Sequence, residues 1–455
     1  MKSKANTTGN LTKRIWTAVI LIGLVGQFAW TIENMYFNVF LYNTISTDPT
    51  YIADMVAASA IAATLTTLLM GGLSDRVGKR KVFICAGYFL WGFSTAVFGF
   101  ISVKNAAVWF PGANAVIMTA MTVVVMDCVM TFFGSTANDA AFNAYITDTT
   151  TQTNRGKVES VLAVLPLVSM LIIFGGFDSL TQHGQWKEFF LIFGLLVTLT
   201  GVIALFLLPE KKIERQRAPF FRNLVYGFQP SVMRENPFLY LALCALCLFS
   251  IAVQVFFPYL IIYLQSYLKF SSYAIVLGII LIVASIVSIV GGNIIDKVGK
   301  LRFALPALAV MGAGLVAMFF TRTMPAVILA GIVMMSGYML VLAALSATVR
   351  DFTPLDKVGH FQGIRMIFAV LLPMVTGPYI GAAAIKNSHS TYVDLGVVKH
   401  LPTPSIFLAA AAVLLFTVLP IAVLKRREQL ATTVGASAVP IPEEVHEDTV
   451  GRKAR

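Results

Sequence analysis

Apolar runs of bilayer length recur from one end of the chain to the other. About twelve are legible, with approximate limits 15–44, 52–72, 81–102, 114–146, 158–178, 187–208, 237–267, 272–295, 302–321, 325–349, 361–384 and 404–424; a helix needs about 20 such residues to cross the hydrocarbon. No water is available there, so every backbone N–H and C=O has to be satisfied within the chain, which leaves a bundle of transmembrane helices as the outcome. Composition agrees: 57% of residues are hydrophobic and 12% charged, against roughly 25% charged in a soluble domain. The expectation is an all-α membrane protein of twelve helices.

The net charge of +12 invites a nucleic-acid reading, and its distribution argues against one. Lys104, Lys187, Lys269, Arg322, Lys386 and Lys399 lie on one side of the spans, and the other 28 of the 34 Lys and Arg lie on the opposite side. Basic residues accumulate on the cytoplasmic side, so both termini are expected there. An odd number of spans would scramble the alternation. The amino-terminal stretch mimics a signal peptide, but no small-residue cleavage site follows, so an uncleaved first helix is expected. The triplets at Asn6 and Asn10 fall in the expected cytoplasmic tail, where glycosylation does not act. Compact loops without external sequons suit a bacterial inner membrane. Cys85, Cys128, Cys244 and Cys247 all sit in apolar runs and read as small buried hydrophobes.

The chain divides at a basic segment. A short tail (1–14) leads to a six-helix bundle (15–208), a cytoplasmic linker (209–236), a second six-helix bundle (237–424) and a polar tail (425–455) expected to be disordered. The halves echo each other. GGLSDRVGKRK at 71–81 matches GNIIDKVGKLR at 292–302 through Asp75, Val77, Gly78 and Lys79 against Asp296, Val298, Gly299 and Lys300. More weakly, DTTTQTNRGK at 148–157 matches DFTPLDKVGH at 351–360. Equivalent loops on the same side imply parallel repeats related by an axis along the membrane normal. Gly71 and Gly72 are expected to end the second helix and let a neighbour approach closely. Asp75 is then placed to meet the positive amino end of another helix, such as the eleventh near His360.

GGLSDRVGKRK resembles the signature loop of the major facilitator superfamily, and the echo in the second half and the span count fit the same family. The resemblance implies the major facilitator fold and transport by alternating access. It implies that Gly72, Asp75, Arg76, Gly78 and Lys79, with Asp296 in the degenerate copy, form a cytoplasmic gate. There, Asp75 and Arg76 latch the halves when the cavity opens outward. The bland alternative is a solvated, positive-inside turn.

The sharpest feature is acid inside the membrane. Asp127, Thr131, Ser135, Asp139, Asn143 and Thr147 recur every fourth residue along the fourth span. Positions i and i+4 share a face, and such a stripe cannot face lipid. A polar seam gluing helices would explain Thr131 and Ser135, but glue needs no charge, and intramembrane acids are costly and usually functional. The first span offers Gln27, Thr31, Asn34 and Asn38 on one stripe, with Glu33 beside it and Trp30, Tyr36 and Tyr42 as aromatic surface. The second half carries Gln254, Pro258, Tyr259 and Tyr263 in its first span. Arg365 lies near the cytoplasmic end of the eleventh, where it either snorkels or reaches substrate.

Glu33, Asp127 and Asp139 are the expected cation-coupling set, since a cavity carboxylate can carry a proton or, ionised, hold sodium. Gln27, Trp30, Asn34, Asn38, Asn143, Gln254, Tyr259, Tyr263 and Arg365 are the expected substrate contacts. The layout is similar to the glycoside–pentoside–hexuronide:cation symporters and the related sucrose–proton transporters. At the two places where melibiose-type carriers have aspartates in the second helix, this chain has Ser59 and Ala63, so that sodium site is not carried over and a proton is favoured. A sugar or glycoside symporter is the leading expectation, with a drug or metabolite antiporter as the alternative. An enzyme is not expected: no HExxH, GxSxG or Cys/His ligand set occurs, and the five histidines fall in loops, helix ends or tails. No cofactor beyond the coupling ion and no metal site are expected, and the working unit is expected to be a monomer in the bilayer.

Overall fold

The computed structural model of the protein describes residues 11–150, 155–209, 228–354, 358–388, 391–394 and 397–426. Most of the expected linker, and the tails before residue 11 and after residue 426, lie outside these. The long helices are α1 (Lys13–Thr44), α2 (Pro49–Val77), α3 (Arg80–Phe100), α4 (Ala115–Thr149), α5 (Arg155–Gly176) and α6 (Trp186–Leu207), then α7 (Pro237–Tyr267), α8 (Tyr273–Val298), α9 (Lys300–Phe320), α10 (Met324–Phe352), α11 (Gly363–Asn387) and α12 (Ser405–Arg426). Among the described residues, eleven are long and apolar enough to cross a membrane, and α5 is apolar over the shorter stretch Val161–Gly176. A two-stranded antiparallel hairpin, Thr391–Asp394 with Val397–His400, joins α11 to α12.

Helix starts follow local chemistry. Asp48 caps α2 by accepting from Thr50 N–H at 2.9 Å, with Pro49 in the first turn, where its missing N–H costs nothing. Asn114 caps α4 through the N–H groups of Val116 and Ile117. The stops correct one expectation. The second helix does not end at Gly71–Gly72 but runs on to Val77 and terminates at Gly78, whose φ of 69° is left-handed; a residue without Cβ adopts this freely. Its repeat partner Gly299 also ends its helix, α8, at a positive φ of 96°, but with an extended ψ of 139°.

The packing repeats as the loops do. α1 packs on α5 and α6, α3 on α4 and α6, and α2 on α4. Adding six to each number gives α7 on α11 and α12, α9 on α10 and α12, and α8 on α10, all of which occur. The weaker loop echo is structural too. Arg80 pairs with Asp148 at 3.2 Å in the first half, and Lys300 pairs with Asp351 in the second. A basic residue after the second helix of each half thus holds an aspartate in the last turn of the fourth.

The lipid-facing surface is apolar, as α6 illustrates with exposed Ile192, Leu195, Leu199, Ile203 and Phe206. On its inner side α6 meets α1 and α3 through an aromatic wedge. Phe37 and Phe98 lie 4.1 Å apart between centroids, and Phe190 sits against both. Between the halves, α2 packs on α11 and α5 on α8, the same contact under exchange of halves.

The polar contacts that cross between halves cluster at the end away from the basic loops, here the far end. Tyr379 donates to Asp54 at 2.6 Å, and Lys386 pairs with Asp48 at 3.0 Å. The Tyr259 hydroxyl reaches Pro49 O at 3.1 Å, Tyr42 donates to His400 O at 2.6 Å, and Tyr273 donates to Asp178. At the basic end Asp75 pairs with Arg80 of its own half, and the His360 side chain, its expected neighbour, lies outside the described residues. Nothing lies within 4 Å of where a Cβ on Gly71 would stand, so in this state no neighbour uses the close approach that its glycine permits. Among the described residues, the polar contacts between the halves lie at the far end and none joins them at the basic end.

Candidate functional site

Two wide helical turns with i→i+5 hydrogen bonding interrupt regular geometry where the acids lie: Ile32–Tyr36 in α1 and Ser135–Phe142 in α4. Such turns concentrate at functional sites. A regular helix carries a residue about 40° round for each step of four, and a turn with more residues brings that drift back. The α4 stripe therefore keeps facing the same neighbours through Asn143.

Its members divide by depth. Asp127 is 1% exposed and Glu33 7% exposed. Thr131 donates to Glu33 Oε1 at 2.8 Å, and the Ser59 hydroxyl of α2, on the Asp127 side, donates to Val56 O at 3.2 Å. Glu33 Oε2 and Asp127 Oδ1 are buried with no hydrogen-bond partner. Two carboxylates thus share a site walled by α1, α2 and α4, with the Thr131 hydroxyl as the neutral donor to Glu33.

Asp139 stands nearer the open side. It accepts from Ser135 Oγ at 3.1 Å and from Asn138 Nδ2 at 3.4 Å. Asn138 Oδ1 in turn accepts from Tyr88, whose hydroxyl also reaches Ile22 O, so α3 holds the group that orients Asp139. Glu33, Asp139, Asn143, Trp30 and Asn34 line a cavity of about 290 Å³ with Ser59, Ala60, Ala63 and Thr67 of α2 and Met366, Val370 and Met374 of α11. A second cavity, of about 260 Å³, opens on the other side of Asn143, against Gln27, Asn138 and α5.

Five of the expected residues therefore line the first cavity, Glu33, Asp139, Trp30, Asn34 and Asn143; Gln27 lines the second, which shares Asn143, and Asp127 lies behind Glu33. Asn34 and Trp30 are steadied locally, Asn34 Nδ2 donating to Trp30 O at 2.8 Å and Trp30 packing on Trp91 at 5.1 Å.

Others stand elsewhere. Asn38 is fully buried toward the far end, its Nδ2 on Asn34 O. Tyr259 is fully buried and bonded to Pro49 O and Pro378 O, which makes it part of the far-end seal. Tyr263 is buried in a stack with Tyr267 and Phe407. Gln254 packs its Cβ against Gly377 of α11. Arg365 precedes the cavity-lining Met366 and has Arg350 as a charged neighbour. Of the gate set, Gly78 makes the turn, Asp75 pairs with Arg80, and the side chain of Asp296 lies outside the described residues. Sequence reasoning passed over Ser59 as a mere departure from a sodium site, took Arg80 only as an inner anchor of its loop and not as the partner of Asp75 and Asp148, and passed over Asp178 altogether. Asp178 was hidden because it closes the fifth apolar run, where a helix-end acid is unremarked.

A sequence pattern describing the Major Facilitator Superfamily matches residues 19–378. The chain belongs to that superfamily. The fold has many counterparts among solved structures. A mutant of the nucleoside transporter NupG is similar at a TM-score of 0.68 and 12% identity, covering 90% of this chain and 99% of that one. A bacterial homolog of the human lysosomal transporter Spinster, inward-facing and unoccupied, is similar at 0.64 and 15% identity, covering 95% and 100%. Its occupied form stands at 0.65 and 13%, covering 92% and 98%. At these identities the likeness establishes the fold. No curated protein matches the chain. The superfamily indicates membrane transport of small molecules, and no catalytic family is indicated.

Proposed function

We propose that this protein is a secondary active transporter that imports a neutral, hydroxylated solute, a sugar or glycoside, by cation-coupled symport in the cell membrane. One observation carries this: an acid- and amide-lined cavity with a tryptophan wall lies between two halves whose polar contacts gather at one end. The basic end is taken as cytoplasmic from the positive-inside bias, which makes this the inward-facing state. The likeness to a Spinster homolog solved inward-facing supports that orientation.

The chemistry follows from the residues. Asn34, Asn143 and Asp139 offer donors and acceptors to hydroxyls, and Trp30 offers a face for a ring. Glycosides include nucleosides, and a nucleoside transporter is among the similar folds. Glu33 and Asp127 have no cationic partner among the described residues, and a buried, uncompensated carboxylate has to be neutralised by a proton or an alkali ion. The coupling ion is assigned to this pair, with Asp139 between ion and solute. Both ligands have to bind the two states differently for coupling to arise. A second possibility has its own support: the α11 wall is Met366, Val370 and Met374, and the lining contains no base, which suits export of an amphipathic organic cation against protons.

The test is solute-induced pH change in right-side-out vesicles across a panel of sugars and nucleosides. External alkalinisation with one solute, absent in Asp139→Asn and Glu33→Gln, is expected. Uptake coupled to sodium alone would replace the proton. Silence with every sugar and nucleoside, together with proton release driven by an organic cation, would overturn symport in favour of exchange.

A further inference from the structure

Where α2 meets α11 and α7, the far-end seal has a polarity: the first half supplies acceptors, Asp48, Asp54 and Pro49 O, and the second half supplies donors, Lys386 and Tyr379 of α11 and Tyr259 of α7. The α5–α8 seam, the counterpart of α2–α11 under exchange of halves, is held differently. Asp178 opens the short helix Asp178–Gln182 just after α5 and is 2% exposed. It accepts from Tyr36 of α1 at 2.9 Å, from Gln182 Nε2 at 2.5 Å and, weakly, from Thr181 Oγ1 at 3.5 Å, all in its own half. The remaining donor is Tyr273, the first residue of α8, across the divide. Tyr36 and Tyr273 are themselves fully buried.

We propose that Asp178 is the latch of the far-end gate on the α5–α8 seam, with Tyr273 as its release point, and that breaking this bond is an obligatory step of each cycle. The proposal rests on the alternating-access reading and adds a positioning residue to it. A purely structural role would be served by the three donors in the same half. Tyr273 adds a bond that exists only while the halves meet. A carboxylate suits such a place. With the gate shut it is held by neutral donors in a dry seam, where bonds to a charged group are strong. With the gate open, water replaces Tyr273, and a carboxylate is well solvated there. An apolar or amide contact would not be stable in both surroundings to the same degree.

The experiment measures gate opening without knowledge of the substrate. Spin labels at Lys104 and Thr323, exposed at the far ends of the two halves, report their separation in purified protein whose four native cysteines are replaced by serine. Tyr273→Phe removes only the crossing bond, and Tyr36→Phe removes only a bond within the first half. A hydrogen bond to a charged group corresponds to about a ten- to hundred-fold bias. Tyr273→Phe and Asp178→Asn are expected to raise the open-to-closed ratio by roughly that factor, and Tyr36→Phe by less than about three-fold. A Tyr273→Phe protein with the wild-type distance distribution would overturn the latch, as would Tyr36→Phe shifting it equally. The combined variant Tyr273→Phe, Tyr379→Phe, Lys386→Gln separates the two levels. If it opens while Tyr273→Phe does not, only the latch falls. If it too keeps a single closed distance, alternating access at this end falls with it.

Discussion

Gly381 of α11 packs closely against α7. A Cβ there would stand 2.2 Å from Val255 O and 2.6 Å from Cε2 of Tyr259. The first is a backbone carbonyl, so it cannot swing aside as a side chain would. Gly381→Ala therefore forces the two helices apart. Overpacking of this kind costs about 1–3 kcal/mol, and a backbone clash belongs at the upper end. Alanine returns roughly 0.5–1 kcal/mol in helix propensity. The net expectation is a loss of about 2 kcal/mol, or roughly 2–4 °C in Tm for a chain of this size. Gly71→Ala is the paired control. Nothing lies within 4 Å of its Cβ position, so only the propensity gain remains and Tm should hold or rise slightly. The assay is thermal unfolding of purified protein, followed by intrinsic fluorescence. A Gly381→Ala protein as stable as wild type, or a Gly71→Ala protein destabilised to the same extent, would refute the helix spacing. Gly71→Ala should nevertheless slow transport, because the basic ends have to close on this surface in the opposite state.

The Asp48–Lys386 pair should contribute far less to the gate than Tyr273. Both side chains are substantially exposed, at 39% and 42%, so Lys386→Gln should shift the open-to-closed ratio by less than about five-fold. Burial pushes the Asp48 carboxyl up, but hydrogen bonds from Thr50 N–H, the Thr50 hydroxyl and Lys386 outweigh it and hold the group below its ordinary value. A depressed carboxyl contributes fully above its unfolded value near 3.9 and loses that contribution as pH falls through the folded one. The spin-label distances should then show no effect of this pair between about pH 5 and 8 and a weakening only below about pH 4. At the basic end Arg80 is 8% exposed and joins Asp75, Asp148 and Ser74. Arg80→Lys replaces a fork by a point charge and should lower stability by about 1–2 kcal/mol, seen as a lower Tm with the loop turn at Gly78 retained.

Much of the candidate site was legible because its signal is local. Acids, amides and hydroxyls at helical spacing in an apolar run can only face inward, and one cavity does gather Glu33, Asp139, Asn34, Asn143 and Trp30, with Gln27 in a second cavity that shares Asn143. The same logic over-reached for Asn38, Tyr259 and Tyr263. Periodicity says which face of a helix is inside, not whether that face meets a cavity or another helix, and these three meet helices. Asp127 and Asp139 looked alike along α4, yet one is enclosed beside Ser59 and the other borders the open cavity. Only the position of α2 separates them.

The sequence by itself determined the membrane class, the span count, the two-fold repetition and the turns at Gly78 and Gly299, because bilayer length, charge bias and left-handed backbone are properties of short segments. The tertiary structure alone decided which end is shut. Asp178 and Tyr273 lie 95 residues apart, in helices of different halves, and nothing local to either announces the other. A gate is a relation between two rigid bodies, and its energy resides in contacts that no segment contains.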